Sequence, residues 1–376
     1  MRTLAVDALR LAGNRTGQGR HVEYLAQQWS RTPIPFDRVV LLSPRPIDLS
    51  GLGTTTPIEY DTFGERLPLA AWEQAALRRR ARGAAGLFCP TYNAPVRYDG
   101  RLVVMNHGIY ERLKGEFSTI ARLRATPLHR LSVRSADRVI ANSQQTKRDM
   151  IEFFGVSDDK IDVVYPAAAE IFFERPSAAE IAAERRRRLG DDSPYFVFVG
   201  KLSRRRHVPN LIAAFAELRK SRDLPHKLLI VGPNTTNTNV EEHASAAGVG
   251  DAVVHLDHLD QASLARLYAG SFAFVLPTTY EGISQTMFEA MASETAVVTV
   301  DHPTVHEGAG DTVVIAPSPS VRDLAEALRR LVDDPALRDD FARRGRAKAR
   351  EFSWSRNAAE TIEILDRVAA PRDGAR

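Results

Sequence analysis

Two series of short apolar runs, each alternating with helical stretches, constrain this chain more than any other feature. The first reads "TLAVDAL", "RVVLLS", "GLFCP", "RLVVMNH", "RVIANS" and "IDVVYP", with segments of helical spacing such as "RHVEYLAQQW" and "HRLSVRSA" between them. The second reads "YFVFVG", "KLLIVG", "AVVHLD", "AFVLP", "AVVTV" and "TVVIA". Apolar runs that alternate with helices build parallel sheets from βα units. A chain of 376 residues also exceeds what one hydrophobic core organises. The expected fold is therefore α/β, with two Rossmann-like, doubly wound parallel-sheet domains facing a central cleft. The first domain is expected over 1–168. A charged, alanine- and arginine-rich linker should follow over 169–193, punctuated by Pro176 and Pro194. The second domain should cover 194–353, and the last helical stretch, 354–376, should pack back on the first domain.

Composition excludes several classes. With 44% hydrophobic and 26% charged residues the chain is globular, and it has no apolar run long enough to span a bilayer and no basic-then-apolar leader at Met1. A soluble, cytoplasmic protein is expected, with peripheral membrane contact left open. The lone Cys89 has no internal disulfide partner and ends a buried strand, which reads as an inert thiol. The net charge of +4 comes from arginine runs at Arg78–Arg82, Arg185–Arg188, Arg204–Arg206 and Arg343–Arg350. They carry no interleaved aromatics and no recognition-helix signature, so nucleic acid is not an expected partner. Three runs read as solvated helix faces, as do the acids at Asp158, Asp191 and Asp333. The run at 204 is the exception.

Open α/β sheets bind ligands beyond the carboxyl ends of their strands, where helix N-termini point N–H groups outward. Four polar segments stand there: "RTGQGRH", "NHG", "GKLSRRRH" and "TTYEGISQTMFE". In "VGKLSRRRHVPNLIAAF", Gly200 ends a strand, and Lys201 with the arginines precedes a helix, a place where cations would meet a diphosphate. In "TTYEGISQTMFE", Gly282 permits a tight turn and Ser284 can cap a helix that starts near Gln285. Glu289 sits one turn on, in an apolar setting. A charge there costs about 1–3 kcal/mol per missing partner, so something must satisfy it; a ribose diol is one candidate. Glu281, before the helix, would lie nearer a reacting group. The rival assignments are a turn residue and a surface acid, or a general acid/base pair.

The glutamate pair with seven residues between, followed by "AMAS", resembles the retaining, nucleotide-sugar-dependent glycosyltransferases of family 4, which have the GT-B fold. So do "VGKLSRRRHVPNLIAAF", "LLIVGP", "LARLYAGSFAFVLPTTYEG" and "REFSW" and, less specifically, "TGQGRHVEYL", "SADRVIANSQQTKRDM" and "DKIDVVYP". The resemblance covers nearly the whole chain. It implies that Glu289 binds the ribose hydroxyls and Glu281 the donor sugar's hydroxyls, with Lys201 and Arg206 on the diphosphate. The family usually has lysine at Arg206, often after the arginine matched by Arg205. Gly200, Ile283, Ser284 and Gln285 fall among the matched donor-binding positions. His107 matches the histidine of a His-Asp pair near the donor sugar, with Gly108 in place of the aspartate. Gly17 and Gly19 match a glycine loop near phosphate and acceptor, and Glu307 an acid in the loop after the next strand.

The same resemblance implies front-face substitution, in which the departing diphosphate oxygen helps to deprotonate the acceptor. The expected partners are a nucleotide-diphosphate sugar, as co-substrate, and a hydroxyl acceptor. No cofactor and no metal are expected. Between the glutamates the family reads Gly-Phe-Gly, an apolar residue, then proline; here Ser284 and Thr286 replace the second glycine and the proline. A positive φ at Ser284 would strain it, so either strain or a reshaped loop is expected. A nucleotide-sugar epimerase, a pyridoxal-dependent phosphorylase and a non-catalytic sensor share the architecture. A nicotinamide dehydrogenase is disfavoured, since no glycine fingerprint follows a strand at the required spacing.

Overall fold

The computed structural model describes residues 1–13, 17–113, 116, 119–234 and 236–370. The chain divides into two compact units, one of 1–166 with 353–376 and one of 167–352. Each is built on a parallel sheet.

The first sheet holds β1 (Thr3–Asp7), β2 (Arg38–Ser43), β3 (Ile58–Thr62), β4 (Gly86–Cys89), β5 (Leu102–Asn106), β6 (Arg138–Ala141) and β7 (Ile161–Val163), in the order β3-β2-β1-β4-β5-β6-β7. Six of these are the expected runs. The seventh, β3, is an edge strand with three of its five residues exposed, and "IEYDT" has no apolar run to announce it. The second sheet holds β8 (Tyr195–Val199), β9 (Lys227–Val231), β10 (Val253–Leu256), β11 (Ala273–Leu276), β12 (Val297–Val300) and β13 (Val314–Ala316), in the order β10-β9-β8-β11-β12-β13. Strand order reverses between β1 and β4 in one sheet and between β8 and β11 in the other. Such switch points open a crevice at the strands' carboxyl ends. The loops after these four strands are thus the places to look for a site.

The last helix, Trp354–Ala369, belongs to the first unit. It covers the helix Gly17–Arg31: the Trp29 indole donates to the Ala358 carbonyl at 3.1 Å, and Ile364 and Leu365 join the core of Leu4, Val6, Val22 and Leu25. Residues 169–193, expected as a linker, are part of the second unit. They carry the helix Ala178–Leu189, started by a Ser177–Glu180 capping box, and Arg185 donates from it to the Gly270 carbonyl at 3.1 Å. Two of the arginine runs expected to be solvated are therefore partly structural. Arg188 pairs with the buried Glu184 at 2.7 Å, and Arg346 donates to the carbonyls of Ala292 and Phe173 at 2.9 and 2.6 Å. Asp158, Asp191 and Asp333 do stand exposed, in ion pairs with Lys147, Lys227 and Arg222. Cys89 is fully buried and unbridged. Among the described residues no helix is long and apolar enough to cross a membrane.

Candidate functional site

At the switch point of the second sheet, the chain leaves β8 through Gly200, whose φ is +151°. A Cβ there would lie 1.8 Å from Nη1 of Arg206, so the arginine lies directly against the backbone. Only glycine allows that approach. Lys201 follows, exposed, and its carbonyl accepts from Arg206 Nη1 at 3.3 Å. Ser203 leads a single turn of 3-10 helix, Arg204–Arg206, which folds two cations back toward the loop after β11.

That loop supplies their counter-charge. Arg206 Nη2 meets Glu281 Oε1 at 3.1 Å, and Arg205 Nη1 grips Glu281 Oε2 while also donating to the Tyr280 carbonyl at 3.0 Å and to the Thr278 hydroxyl at 3.3 Å. The three side chains are nearly buried. Burial alone would raise the Glu281 carboxyl, but the two guanidiniums outweigh it and hold the group below the usual glutamate value. Among the described residues, Arg206 Nε is buried without a partner.

The helix Gln285–Ala292 begins where the spacing predicts, capped by Ser284, whose Oγ accepts from the Met287 amide at 3.4 Å and lies 3.0 Å from Thr286 Oγ1. Ser284 has φ −79° and ψ 118°, so the strain considered above is absent and the residue serves as an ordinary extended N-cap. Gly282 and Ile283 are buried, the latter against Gly308, and Gln285 is half-buried, its Nε2 buried without a partner among the described residues. Glu289, 3% exposed, accepts from the Tyr268 hydroxyl at 3.3 Å. Tyr268 is invisible to local pattern because it stands on the preceding helix, 21 residues away. Glu307, expected in a loop, lies half-buried in a short helix, Pro303–Gly308, after β12.

His107, in the first unit, follows β5 and is buried. Its Nε2 stands 2.8 Å from the Pro90 carbonyl, which can only accept, so the proton is on Nε2 and Nδ1 keeps its lone pair. Burial lowers its pKa to about 4, and the ring is neutral near pH 7. His21 packs edge-on against it, ring centres 5.2 Å apart. Gly108 has φ +129° and its amide is held by Asn106 Oδ1 at 2.8 Å. An aspartate on this backbone would bear about 1–3 kcal/mol of strain, so the loop is shaped for the glycine. Gly17 and Gly19, expected in a loop, stand in the first turn of the helix Gly17–Arg31; residues 14–16 lie outside the described ones.

Two arginines thus converge on one carboxylate just ahead of a capped helix start, and a second carboxylate is buried a turn further on. Residues 181–348 match the family described as "Glycosyl transferases group 1", and residues 15–168 match "Glycosyltransferase Family 4". The chain belongs to the family 4 glycosyltransferases. The chain is 27% identical to the D-inositol 3-phosphate glycosyltransferase of Kineococcus radiotolerans over 258 residues, with 64% of this chain and 59% of that protein covered. It is 32% identical to that of Gordonia bronchialis over 248 residues, 63% of this chain and 53% of the relative. The matches thus span less than two thirds of the relatives' length. Anabaena HepE, solved in complex with UDP-glucose, has the same GT-B fold. It superposes with a TM-score of 0.77 at 18% identity, over 98% of this chain and all of that one.

Proposed function

We propose that this glycosyltransferase moves a sugar from a nucleotide-diphosphate donor to a hydroxyl acceptor with retention of configuration. The observation that carries this is the charge arrangement at the second switch point: Arg205 and Arg206 converge on Glu281. An incoming diphosphate competes with Glu281 for Arg206. When Arg206 turns to the phosphate, Arg205 keeps its hold on Glu281, and a carboxylate oxygen is released to accept from the donor sugar's hydroxyls. Glu289, already held by Tyr268, takes the ribose diol. Structures of the fold solved with UDP and UDP-glucose favour a nucleotide sugar over a dinucleotide.

In this mechanism the bond from the anomeric carbon to the diphosphate oxygen breaks as the acceptor oxygen approaches on the same face. The acceptor's proton passes to the departing oxygen. Protein groups supply charge stabilisation: Lys201, Arg206 and the N–H groups at the Gln285 helix start meet the negative charge that grows on the leaving group. The reading assigns that task to no metal, so activity should survive EDTA. Loss with chelator and return with magnesium or manganese would contradict it. The test is a panel of UDP-, GDP-, ADP- and dTDP-sugars with the full chain, followed by mass spectrometry. Nucleoside diphosphate release with sugar transfer or slow hydrolysis is expected for at least one donor. Isomerised sugar without release would mark an epimerase, and binding without turnover a sensor.

A further inference from the structure

The switch point of the first sheet holds a second polar cluster that the donor chemistry leaves unused. Asp7 closes β1 and is 2% exposed; one carboxylate oxygen accepts the Leu9 amide at 3.0 Å, and the other, Oδ2, has no partner among the described residues. Ala5, two residues earlier on the same strand face, packs in the core with Trp72, Leu77 and Cys89. By the two-residue alternation of a strand, Asp7 faces the same way, toward the helical turn Trp72–Ala76 that carries Glu73. Glu73, also buried, accepts from the Asn93 amide at 3.0 and 3.1 Å, and Asn93 Oδ1 is itself buried without a partner among the described residues. Asn93 and Tyr92 come from the loop after β4, the strand across the switch point from β1. Tyr92 holds φ +69°, a backbone state that costs a non-glycine residue energy and marks functional loops.

The electrostatics agree with the geometry. Burial, with the field of Glu73 adding to it, raises the Asp7 carboxyl to about 7, and burial raises Glu73 as well. Behind them the Cys89 thiol is pushed up by burial and by both acids. Opposing charge comes from Arg10, which is exposed, and from His129, which is already paired with Glu111. Among the described residues, Asp7 Oδ2 and Asn93 Oδ1 are thus buried acceptors left unfilled, and Asp7 feels the charge of Glu73. Each such position costs about 1–3 kcal/mol when left empty. A merely structural pair would be filled by donors of its own.

We propose that Asp7, Glu73 and Asn93 form the acceptor-recognition pocket, and that the group they take donates hydrogen bonds and carries no negative charge: the hydroxyls or the primary amine of a sugar or cyclitol. This rests on the transferase reading above and deepens it. The same pocket rejects acceptors that present a phosphate at this position, because the phosphate would meet two carboxyl groups and one exposed arginine.

Saturation-transfer NMR on the full chain tests this with matched probes: glucose, glucosamine, glucose 6-phosphate, myo-inositol and inositol 3-phosphate. Nucleoside diphosphate affinity is measured on the same samples. The expected result is binding by the neutral or amine-bearing probes, weakened about tenfold or more in both Asp7→Asn and Glu73→Gln, with nucleotide affinity unchanged. Two variants are used so that a folding defect in one leaves the other informative. Preference for the phosphate-bearing probes, no binding by any neutral or amine probe, or binding unaltered in a folded variant would overturn the pocket. Nucleotide binding without sugar binding sinks only this inference. Absence of nucleotide binding sinks the transferase reading itself.

Discussion

One methyl group at position 200 would collide with the Arg206 guanidinium, the cation to which the proposed donor chemistry assigns the diphosphate. A Cβ on Gly200 falls 1.8 Å from Arg206 Nη1, and the backbone has no room behind it, since a Cβ on Gly232 would fall 2.2 Å from the Gly200 carbonyl oxygen. Gly200→Ala is therefore expected to expel the Arg206 guanidinium and to reproduce the kinetic phenotype of Arg206→Ala. Both should lower kcat by roughly 10²-fold with a smaller effect on donor KM, because charge on the diphosphate grows toward the transition state. Equal losses in kcat and donor affinity, or a Gly200→Ala enzyme of normal kcat, would show that Arg206 acts elsewhere. Glu289 gives a second residue-scale expectation. Glu289→Ala should weaken nucleoside diphosphate binding by about 1.5–3 kcal/mol, the cost of a hydrogen bond to a charged acceptor, read by calorimetry. Unchanged affinity would leave Glu289 a partner of Tyr268 and nothing more. At this scale the sequence showed which residues gather but not whom they hold. The spacing of Glu281 and Glu289 is local and legible; the grip of Arg205 on Glu281 spans 76 residues and depends on how β8 and β11 lie side by side.

The decisive element is the short run from Gly282 to Thr286 that delivers the chain into its helix. The family's second glycine and proline are absent, yet Ser284 sits in ordinary extended backbone and caps the helix with its own hydroxyl. Because that hydroxyl and Thr286 Oγ1 hold each other at 3.0 Å, the helix start presents a fixed polar edge where the family presents bare backbone. We expect this edge to tune the choice of donor sugar. Converting Ser284→Gly and Thr286→Pro together should reorder kcat/KM across several nucleotide sugars while nucleotide affinity stays intact. A uniform change over all donors would reduce the segment to a helix cap worth about 1 kcal/mol. Strands with continuous apolar runs were plain from sequence, as in all six strands of the second sheet, including β10, whose residues are only half-buried. Those defined by their neighbours were not. The edge strand Ile58–Thr62 lacks an apolar run, and the charged helix Ala178–Leu189 looks like a connector until Arg185 and Glu184 are seen to work inward.

Across the whole molecule, buried histidines set an acid limit on stability. His107 and His226 are each lowered to about 4, first by burial, and His21 is lowered by burial and by the neighbouring His107. In the unfolded chain these rings protonate near 6.5, so between that value and 4 the unfolded state binds protons that the folded state refuses. Stability should fall as pH drops through this window by about 3 kcal/mol for each ring shifted that far. Asp7 works the other way, since its raised group keeps a proton in the folded state between the usual aspartate value and about 7. Urea midpoints from pH 7.5 to 4 should therefore decline, and less steeply in His226→Phe, whose ring packs between Phe196 and Phe272. A midpoint independent of pH would contradict the burial of these rings. Two parallel sheets and a glycosyltransferase resemblance were legible along nearly the whole chain. The acid pair at the first switch point was not, because Asp7 and Glu73 look like ordinary acids until the fold buries them together. The central claim, transfer from a nucleotide sugar with retention, is tested most directly by following the anomeric proton of the sugar in real time. With a donor of α configuration that the enzyme consumes, the first-formed product or hydrolysed sugar should show the α coupling before mutarotation. A β product formed first would contradict the account.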